Sequence, residues 1–267
     1  MICETIDFMP SNRDLVFSPP LAILSALAQE QRGLVRLLHH PRKVSHANRN
    51  FWLGDVHGQP VILALSKIGK VAAATTTAAL IEHFGARRII FTGVAGGLGQ
   101  GVKIGDVVVA TGFVQHDLDA SPLFPRYEVP LYGKTRFPCD AALSALLVEA
   151  SCAALAHTSL LTHGFHECRV HEGLIASGDR FVCGAEESRQ LVGLLNHAGH
   201  DVLAVEMEGA AVAQVCLDYG VPYAVMRTIS DRADDGAHVD FPDFVETVAS
   251  PYAQLAIKSF LTSLLKK

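Results

Sequence analysis

Acidic residues stand at two places where predicted apolar strands end. Glu206 and Glu208 lie two positions apart at the junction of a strand and a helix, and Asp231 follows Ser230 at the end of a later strand. Each group alone also fits local structure, because acidic side chains favour helix N-termini and Ser-Asp pairs favour turns. Two carboxylates within one apolar stretch exceed what a helix N-terminus requires, so these positions are candidates for general acid–base chemistry.

A glycine-rich segment, Gly93 to Gly97, lies between two predicted strands and is expected to form a tight turn. Glycine has no Cβ, so a ligand can approach the backbone amides of such a segment closely. The dinucleotide-binding fingerprint is absent here, because Val102 occupies the position of its third glycine. Lys70 does not belong to a P-loop either, since Val71 follows it and Ala64 stands at the leading glycine position.

Apolar segments of strand length and helix length alternate along the chain. Predicted strands cover residues 21–27, 51–56, 60–65, 88–92, 106–110, 202–206 and 223–228. Predicted helices cover residues 29–38, 71–84, 141–156, 209–219 and 244–265, and predicted loops cover 39–50, 113–138 and 230–240. This alternation predicts the α/β class with a largely parallel or mixed sheet.

The candidate chemistry is concentrated at four predicted strand ends, at residues 25–30, 93–97, 206–208 and 230–231. Ligands of open α/β sheets bind beyond the carboxyl ends of the strands, so we expect the four segments to share one site. Residues 1–20 are expected to be an irregular extension, and residues 21–267 a single domain.

Composition limits the classes of function that the chain can have. Its 267 residues are 49% hydrophobic with a net charge of -5, which predicts a well-packed core and excludes a basic surface for nucleic acid or membranes. The six cysteines are scattered and form no CxxC pair, which is typical of a reducing compartment. We find no secretory signal or membrane-spanning run and predict a cytoplasmic protein.

Four motifs occur in a fixed order, and they are Gly93-Val94-Ala95-Gly96-Gly97, Ser177-Gly178-Asp179-Arg180-Phe181, Val205-Glu206-Met207-Glu208 and Arg227-Thr228-Ile229-Ser230-Asp231. Together they resemble the purine/uridine phosphorylase superfamily, most closely its bacterial 5′-methylthioadenosine/S-adenosylhomocysteine nucleosidases. The resemblance covers about residues 21–265. It implies a three-layer αβα sandwich around a mixed, partly closed β-sheet, the nucleoside phosphorylase fold, and a homodimer.

The resemblance also implies roles for individual residues. Glu208 with Met207 would hold the ribose hydroxyls, Asp231 with Ser230 would face N7 and the amino group of adenine, and Glu30 would activate water. Phe181 would stack on the base while the Val182 backbone reads its edge, and Ile68 and Phe241 would line the sugar and its 5′ substituent. The remaining residues of the predicted substrate site are Ala95, Gly96 and Glu206, and no cofactor or metal is expected.

Acid–base chemistry agrees with these roles. Cleavage of a ribosidic C–N bond places positive charge on the sugar and negative charge on the leaving base. A protonated Asp231 would neutralise the base, Glu208 would stabilise the cation, and Glu30 would activate water on the opposite side, as in an inverting glycosidase. Asp231 would need a raised pKa for this role, which burial can provide.

Hydrolysis and phosphorolysis differ in the nucleophile. A phosphorylase needs guanidinium groups at fixed positions to hold phosphate. Phe91-Thr92 stands where purine phosphorylases carry one such arginine, and the loop from Ser25 to Glu30 contains no arginine. An anionic Glu30 beside the ribose would repel phosphate, so we predict hydrolysis of an adenine nucleoside, with a phosphate-dependent purine nucleoside phosphorylase as the alternative.

Departures from the family leave the 5′ substituent open. Ala28 and Gln29 precede Glu30, where typical members are more acidic, and the loop 113–138 contains Pro122 and Pro125, which typical members lack.

Two other classes remain as alternatives. A metal-dependent phosphohydrolase could use His116, Asp117, Asp119 and the acidic residues 231–235, and zinc could be bound by His163, His166 and His171, although no cysteine pair accompanies these histidines. The third alternative is a non-catalytic nucleoside-binding protein, against which the three acids Glu30, Glu208 and Asp231 argue.

Overall fold

The computed structural model describes residues 18–156, 168–233 and 241–266. Nearly all of the predicted N-terminal extension, His163, His166 and most of the predicted acidic loop therefore lie outside the described residues.

The described residues form one mixed sheet of eleven strands. The strands are β1 Leu21–Ser25, β2 His39–His46, β3 Arg49–Val56, β4 Gln59–Leu65, β5 Arg88–Phe91, β6 Val94–Gly97, β7 Val107–Gln115, β8 Phe137–Pro138, β9 Val170–Ser177, β10 Val202–Glu206 and β11 Tyr223–Asp231. Their order across the sheet is β2-β3-β4-β1-β5-β11-β6-β10-β9-β7-β8. Strands β4, β1, β5, β11 and β6 are neighbours in this order, and each pairs parallel with the next. The pairs β2–β3, β3–β4 and β6–β10 are antiparallel.

Strand β11 closes part of the sheet into a barrel because β6 and β7 pair with its two opposite edges. Its middle pairs antiparallel with β7, placing Met226 opposite Val109, and its end pairs parallel with β6, placing Ile229 opposite Ala95. Since β6, β10, β9 and β7 are successive neighbours, this second pairing joins the two ends of that series. The predicted mixed, partly closed sheet is confirmed.

Helices cover both faces of the sheet. They are α1 Ala28–Val35, α2 Lys70–Glu82, α3 Ala141–Leu155, α4 Ala185–His197, α5 Gly209–Tyr219, α6 Phe241–Phe244 and α7 Ser250–Leu264, with a π-helical turn at Val245–Ala249. Helices α2 and α5 pack together over one core, and α1 and α3 both contact α7 over the other. Successive residues of β1 enter opposite cores, Ala22 the first and Ile23 the second, as the strand period requires.

Several elements differ from the sequence prediction. Residues 39–46 form the edge strand β2 instead of a loop; most of its side chains are exposed and it pairs with β3, so it carries no apolar alternation. The glycine-rich segment is a buried strand, β6, whose composition resembles a turn. Strand β11 continues to Asp231, and the predicted long helix contains a π-helical turn. Strand β9 and helix α4 were not predicted.

Candidate active site

One open cavity of about 170 Å³ lies where β1, β4, β9, β10 and β11 end. Every residue predicted for the site lines this cavity: Glu30, Ile68, Ala95, Gly96, Phe181, Val182, Glu206, Met207, Glu208, Ser230, Asp231 and Phe241. The expected meeting of the four strand ends is therefore found. The individual roles given to these residues stay predictions, because a lining position does not define a role.

Glu30 is held mainly through one of its two carboxylate oxygens. It lies in the first turn of α1, and its Oε2 accepts hydrogen bonds from the amides of Ala26 and Leu27, both at 2.9 Å. Its Oε1 is buried without a hydrogen-bond partner among the described residues. Burial raises the pKa of Glu30, opposed by the Leu27 amide and the charge of Arg227. One fixed and one available oxygen suit a group that accepts a proton.

Glu206 is the most thoroughly hydrogen-bonded acid of the site. Its carboxylate accepts hydrogen bonds from the Ser177 hydroxyl, from the amides of Glu208 (3.1 Å) and Gly209 (2.9 Å), and from Arg227 Nη2 (2.7 Å). Protein donors therefore occupy its acceptor positions. These contacts favour Glu206 as an internal ion-pair partner of Arg227. The substrate contact expected at Glu206 stays a prediction.

Glu208 lines the cavity and accepts one hydrogen bond from the described residues. Its Oε1 accepts a hydrogen bond from the amide of Gly69 at 2.9 Å. Burial raises the pKa of Glu208 to about 7, the negative charge of Glu206 adds to the rise, and Arg227 opposes it. Gly69 precedes α2 with a φ of 94°, a conformation that a residue with a Cβ rarely adopts.

Asp231 is fixed at the end of β11. Its Oδ2 accepts a hydrogen bond from the Ser230 hydroxyl at 2.7 Å, and its Oδ1 accepts one from the Ala233 amide at 2.7 Å. A Cβ at Gly96 would lie 3.0 Å from Asp231 Oδ1. The absence of a side chain at Gly96 therefore lets the Asp231 carboxylate lie directly against β6.

Gly93, directly before β6, leaves room for Arg227 and Glu30. A Cβ at Gly93 would lie 3.1 Å from Arg227 Nη1 and 3.2 Å from Glu30 Oε1. The two glycines thus explain in steric terms why this segment carries small residues, beyond any contact with a ligand.

Arg227 lines the cavity, although no role was predicted for it from the sequence. Its side chain is 1% exposed, its guanidinium lies 3.9 Å from the ring centre of Phe91, and it pairs with Glu206. A charged residue inside an otherwise apolar predicted strand was the available signal, because such a residue is buried only with a partner. Further residues line the cavity without a role predicted from the sequence, and they are Ala26, Leu27, Gly93, Val94, Arg180 and Val205.

The mouth of the cavity is apolar. Phe181 is 46% exposed and Ile68 is 58% exposed, and the rings of Phe181 and Phe241 meet edge to face at 6.5 Å. Exposed aromatic side chains beside buried acids suit the binding of a flat, partly apolar ligand.

Three of the groups proposed for metal binding, Asp117, Asp119 and His171, have other partners. Asp117 pairs with Lys70 at 2.6 Å and His171 with Asp106 at 2.7 Å, and Asp119 lies 3.7 Å from Arg126. Among residues 18–156, 168–233 and 241–266 no three metal-ligating side chains cluster. Within the same ranges, no helix is long and apolar enough to span a membrane.

A partly closed α/β sheet with three buried acids around one cavity is typical of an enzyme that uses general acid–base catalysis. The chain belongs to the phosphorylase superfamily, whose family model matches residues 20–262. The resemblance drawn from the four motifs is thereby confirmed.

The chain is similar to relatives and solved structures of known name. The chain is 37% identical to the aminodeoxyfutalosine nucleosidase of Helicobacter pylori strain J99 over 91% of its length and 99% of that protein. It is 35% identical to the 5′-methylthioadenosine/S-adenosylhomocysteine nucleosidase of Actinobacillus succinogenes, over 89% and 96% respectively. A nucleosidase of that name from Neisseria meningitidis, solved with methylthio-immucillin-A, superposes with a TM-score of 0.79 at 35% identity, covering 92% of this chain and all of that one. These names support the predicted hydrolytic class.

Proposed function

We propose that the chain hydrolyses the N-glycosidic bond of an adenine nucleoside, such as methylthioadenosine or adenosylhomocysteine, and releases adenine. The observation that carries this proposal is the burial of Glu30, Glu208 and Asp231 around one cavity. Relatives with hydrolase names at 35–37% identity support it.

Each acid has a separate task in this proposal. Glu30 takes a proton from the attacking water through Oε1, the oxygen without a hydrogen bond. Glu208 binds the ribose hydroxyls through the part of its carboxylate that Gly69 does not hold. Asp231 faces the base and donates a proton to N7. A positioned acid or base contributes roughly 10²–10⁴-fold to a rate.

Base and sugar are bound by the remaining residues. Phe181 stacks on adenine, the Val182 backbone reads its edge, and Ile68 and Phe241 contact the sugar and its 5′ substituent. Ala95, Gly96, Met207 and Ser230 complete the site, as their lining positions allow.

Phosphorolysis is disfavoured because both arginines that line the cavity already pair with glutamates. Arg227 is paired with Glu206, and Arg180 is paired with Glu187 at 2.8 Å. Phosphate would need guanidinium groups directed at it. Water needs only the base that Glu30 provides.

The 5′ substituent has three candidates. The similarity to an aminodeoxyfutalosine nucleosidase adds aminodeoxyfutalosine to methylthioadenosine and adenosylhomocysteine as a candidate substrate.

Base release measured with and without phosphate tests this function. The purified protein is incubated with the three candidate nucleosides, adenosine and inosine, and adenine or hypoxanthine is quantified by liquid chromatography. We expect equal adenine release without phosphate and at least a hundredfold loss in Glu30→Gln. The exposed Arg189, paired with Glu186 on the surface of α4, provides the control variant Arg189→Met. A strict phosphate requirement would make the enzyme a phosphorylase, and binding without base release would make it a nucleoside-binding protein.

We propose further that the enzyme is a homodimer in the cytoplasm. Val71, Leu123 and Leu131 are 77%, 84% and 92% exposed, and a second subunit would remove apolar surface of this kind from water. No disulfide joins the cysteines of the described residues, as is usual in a reducing compartment. Sedimentation velocity of wild type and Leu131→Asp tests the dimer, and fractionation of the producing cells tests the compartment.

A further inference from the structure

Three charged residues outside the cavity lining form a closed ring at its edge. Lys70 Nζ donates to Asp117 Oδ1 at 2.6 Å, the amide of Asp179 donates to Asp117 Oδ2 at 2.8 Å, and the amide of Lys70 donates to Asp179 Oδ1 at 2.7 Å. The ring joins three elements, because Asp117 follows β7, Asp179 follows β9 and Lys70 begins α2. Lys70 Nζ also donates to Gln115 at the end of β7, at 3.0 Å.

The ring is next in sequence to Gly69, which binds the acid that faces the ribose in the proposed function. Gly69, directly before Lys70, donates its amide hydrogen to Glu208 Oε1. A Cβ at Gly69 would lie 3.1 Å from Asp179 Oδ1, so the same carboxylate that holds Lys70 also abuts Gly69. Two consecutive amides of the α2 N-terminus are thus committed to two carboxylates, Glu208 inside the cavity and Asp179 outside it.

We propose that Lys70, Asp117 and Asp179 are positioning residues that hold the Gly69 amide, and through it the Glu208 carboxylate, in the geometry for ribose binding. This inference rests on the proposed function. None of the three side chains lines the cavity, so they act through Gly69 and not on the substrate.

The electrostatics of the ring agree with this role. Although burial alone would raise the pKa of Asp117, the hydrogen bonds from Lys70 and Asp179 hold it below its ordinary value. The Lys70 and Asp117 side chains are 16% and 29% exposed. Both side chains keep contact with solvent, so the ring contributes less to global stability than a fully buried ion pair, and its variants are expected to fold.

Two variants of Asp179 separate positioning from charge. Asp179→Asn and Asp179→Ala both remove the negative charge, but asparagine keeps an oxygen that can accept from the Lys70 amide. We expect Asp179→Asn to retain kcat/KM for the best adenine nucleoside within about threefold. Asp179→Ala should lower it about ten- to a hundredfold, because a small displacement of a binding group has effects of that order.

A measurement that needs no turnover accompanies the kinetics. The pKa of Glu208 is followed by carbon NMR in protein labelled at the glutamate carboxyl and assigned with Glu208→Gln. The charged groups that act on Glu208 are Glu206, Arg227 and Glu30, and both variants leave them unchanged. Loss of the Gly69 hydrogen bond should raise the pKa of Glu208 in Asp179→Ala by about one unit relative to Asp179→Asn.

The outcomes distinguish the two proposals. Equal kcat/KM and equal Glu208 titration in Asp179→Asn and Asp179→Ala would overturn the ring, whatever the activity of the wild type. A wild type that releases no base would overturn the function, while the NMR titration would still decide the ring. If circular dichroism shows Asp179→Ala unfolded, Lys70→Met against Lys70→Arg gives the same comparison, with rescue expected from arginine.

Discussion

Replacing Arg227 by methionine tests whether the Glu206 ion pair supports the site. Both side chains are buried, with exposures of 1% and 2%, and their atoms Nη2 and Oε2 lie 2.7 Å apart. Removing one member of a buried ion pair typically destabilises a protein by about 3–5 kcal/mol, because the other charge stays buried without its partner. The contact of the guanidinium with the Phe91 ring would be lost as well.

The structure places the expected loss at the lower end of that range. Glu206 would keep its hydrogen bonds from the Ser177 hydroxyl and from two backbone amides, so its charge would not be left without partners. We expect a loss of about 3 kcal/mol, which for a chain of this size lowers Tm by roughly 6–12 °C.

Thermal unfolding and urea denaturation of four proteins measure this effect. They are wild type, Arg227→Met, Glu206→Gln with Arg227→Met, and the control Arg32→Met. The double variant should recover at least half of the lost stability, since it also removes the buried Glu206 charge that has lost its counter-ion. Arg32 pairs with Glu246 at 3.5 Å with both side chains more than 60% exposed, so its replacement should lose less than about 1 kcal/mol. An Arg227→Met protein no less stable than Arg32→Met would refute the reasoning.

Three further predictions concern the carboxylates and the mouth of the cavity. Because the pKa of Glu208 is raised to about 7, the folded protein keeps this proton when the unfolded chain has lost it, so stability falls as pH rises from about 4.5 to 7. Glu208→Gln should therefore flatten the Tm-against-pH profile over that window and lower kcat by about 10²–10⁴-fold, and an unchanged profile would contradict the pKa assignment. Gly96→Ala should lower kcat/KM at least tenfold by displacing Asp231, whereas Gly193→Ala, where a Cβ meets nothing within 4 Å, should not, and equal kinetics would disprove the steric argument. Phe181→Ala should raise KM about tenfold with a smaller change in kcat, since a stacking contact contributes on the order of 1 kcal/mol; a loss confined to kcat would argue against a binding role.

Sequence alone could predict the parts of the fold that repeat a simple apolar pattern. Strands such as β1 and β10 and helices such as α3 were found because their apolar residues are continuous or periodic. The edge strand β2 was missed because its side chains face solvent, and β6 was missed because two of its four residues are glycine. In both cases pairing with a neighbouring strand, which a local pattern does not contain, determines the conformation.

The site divides in the same way. The sequence placed Glu30, Glu208 and Asp231 together because the order of four motifs matched a family. It could not show that Glu206 accepts hydrogen bonds from Ser177 and Arg227, since these contacts join residues 29 and 21 positions away. The separate environments of the acids arise from tertiary packing, and they were accessible only from the structure.

The double pairing of β11 has a consequence for how the enzyme folds. Asp231 lies in a strand whose partners, β5, β6 and β7, are all more than a hundred residues earlier in the chain. Pairings between such distant segments form slowly, because a long loop must close before any contact is gained. Asp231 can therefore reach Gly96 only after β11, near the end of the chain, has been synthesised and has paired with β6. Catalytic competence should appear late in refolding, after helices such as α3 have formed, and a chain interrupted before β11 should have no partial activity.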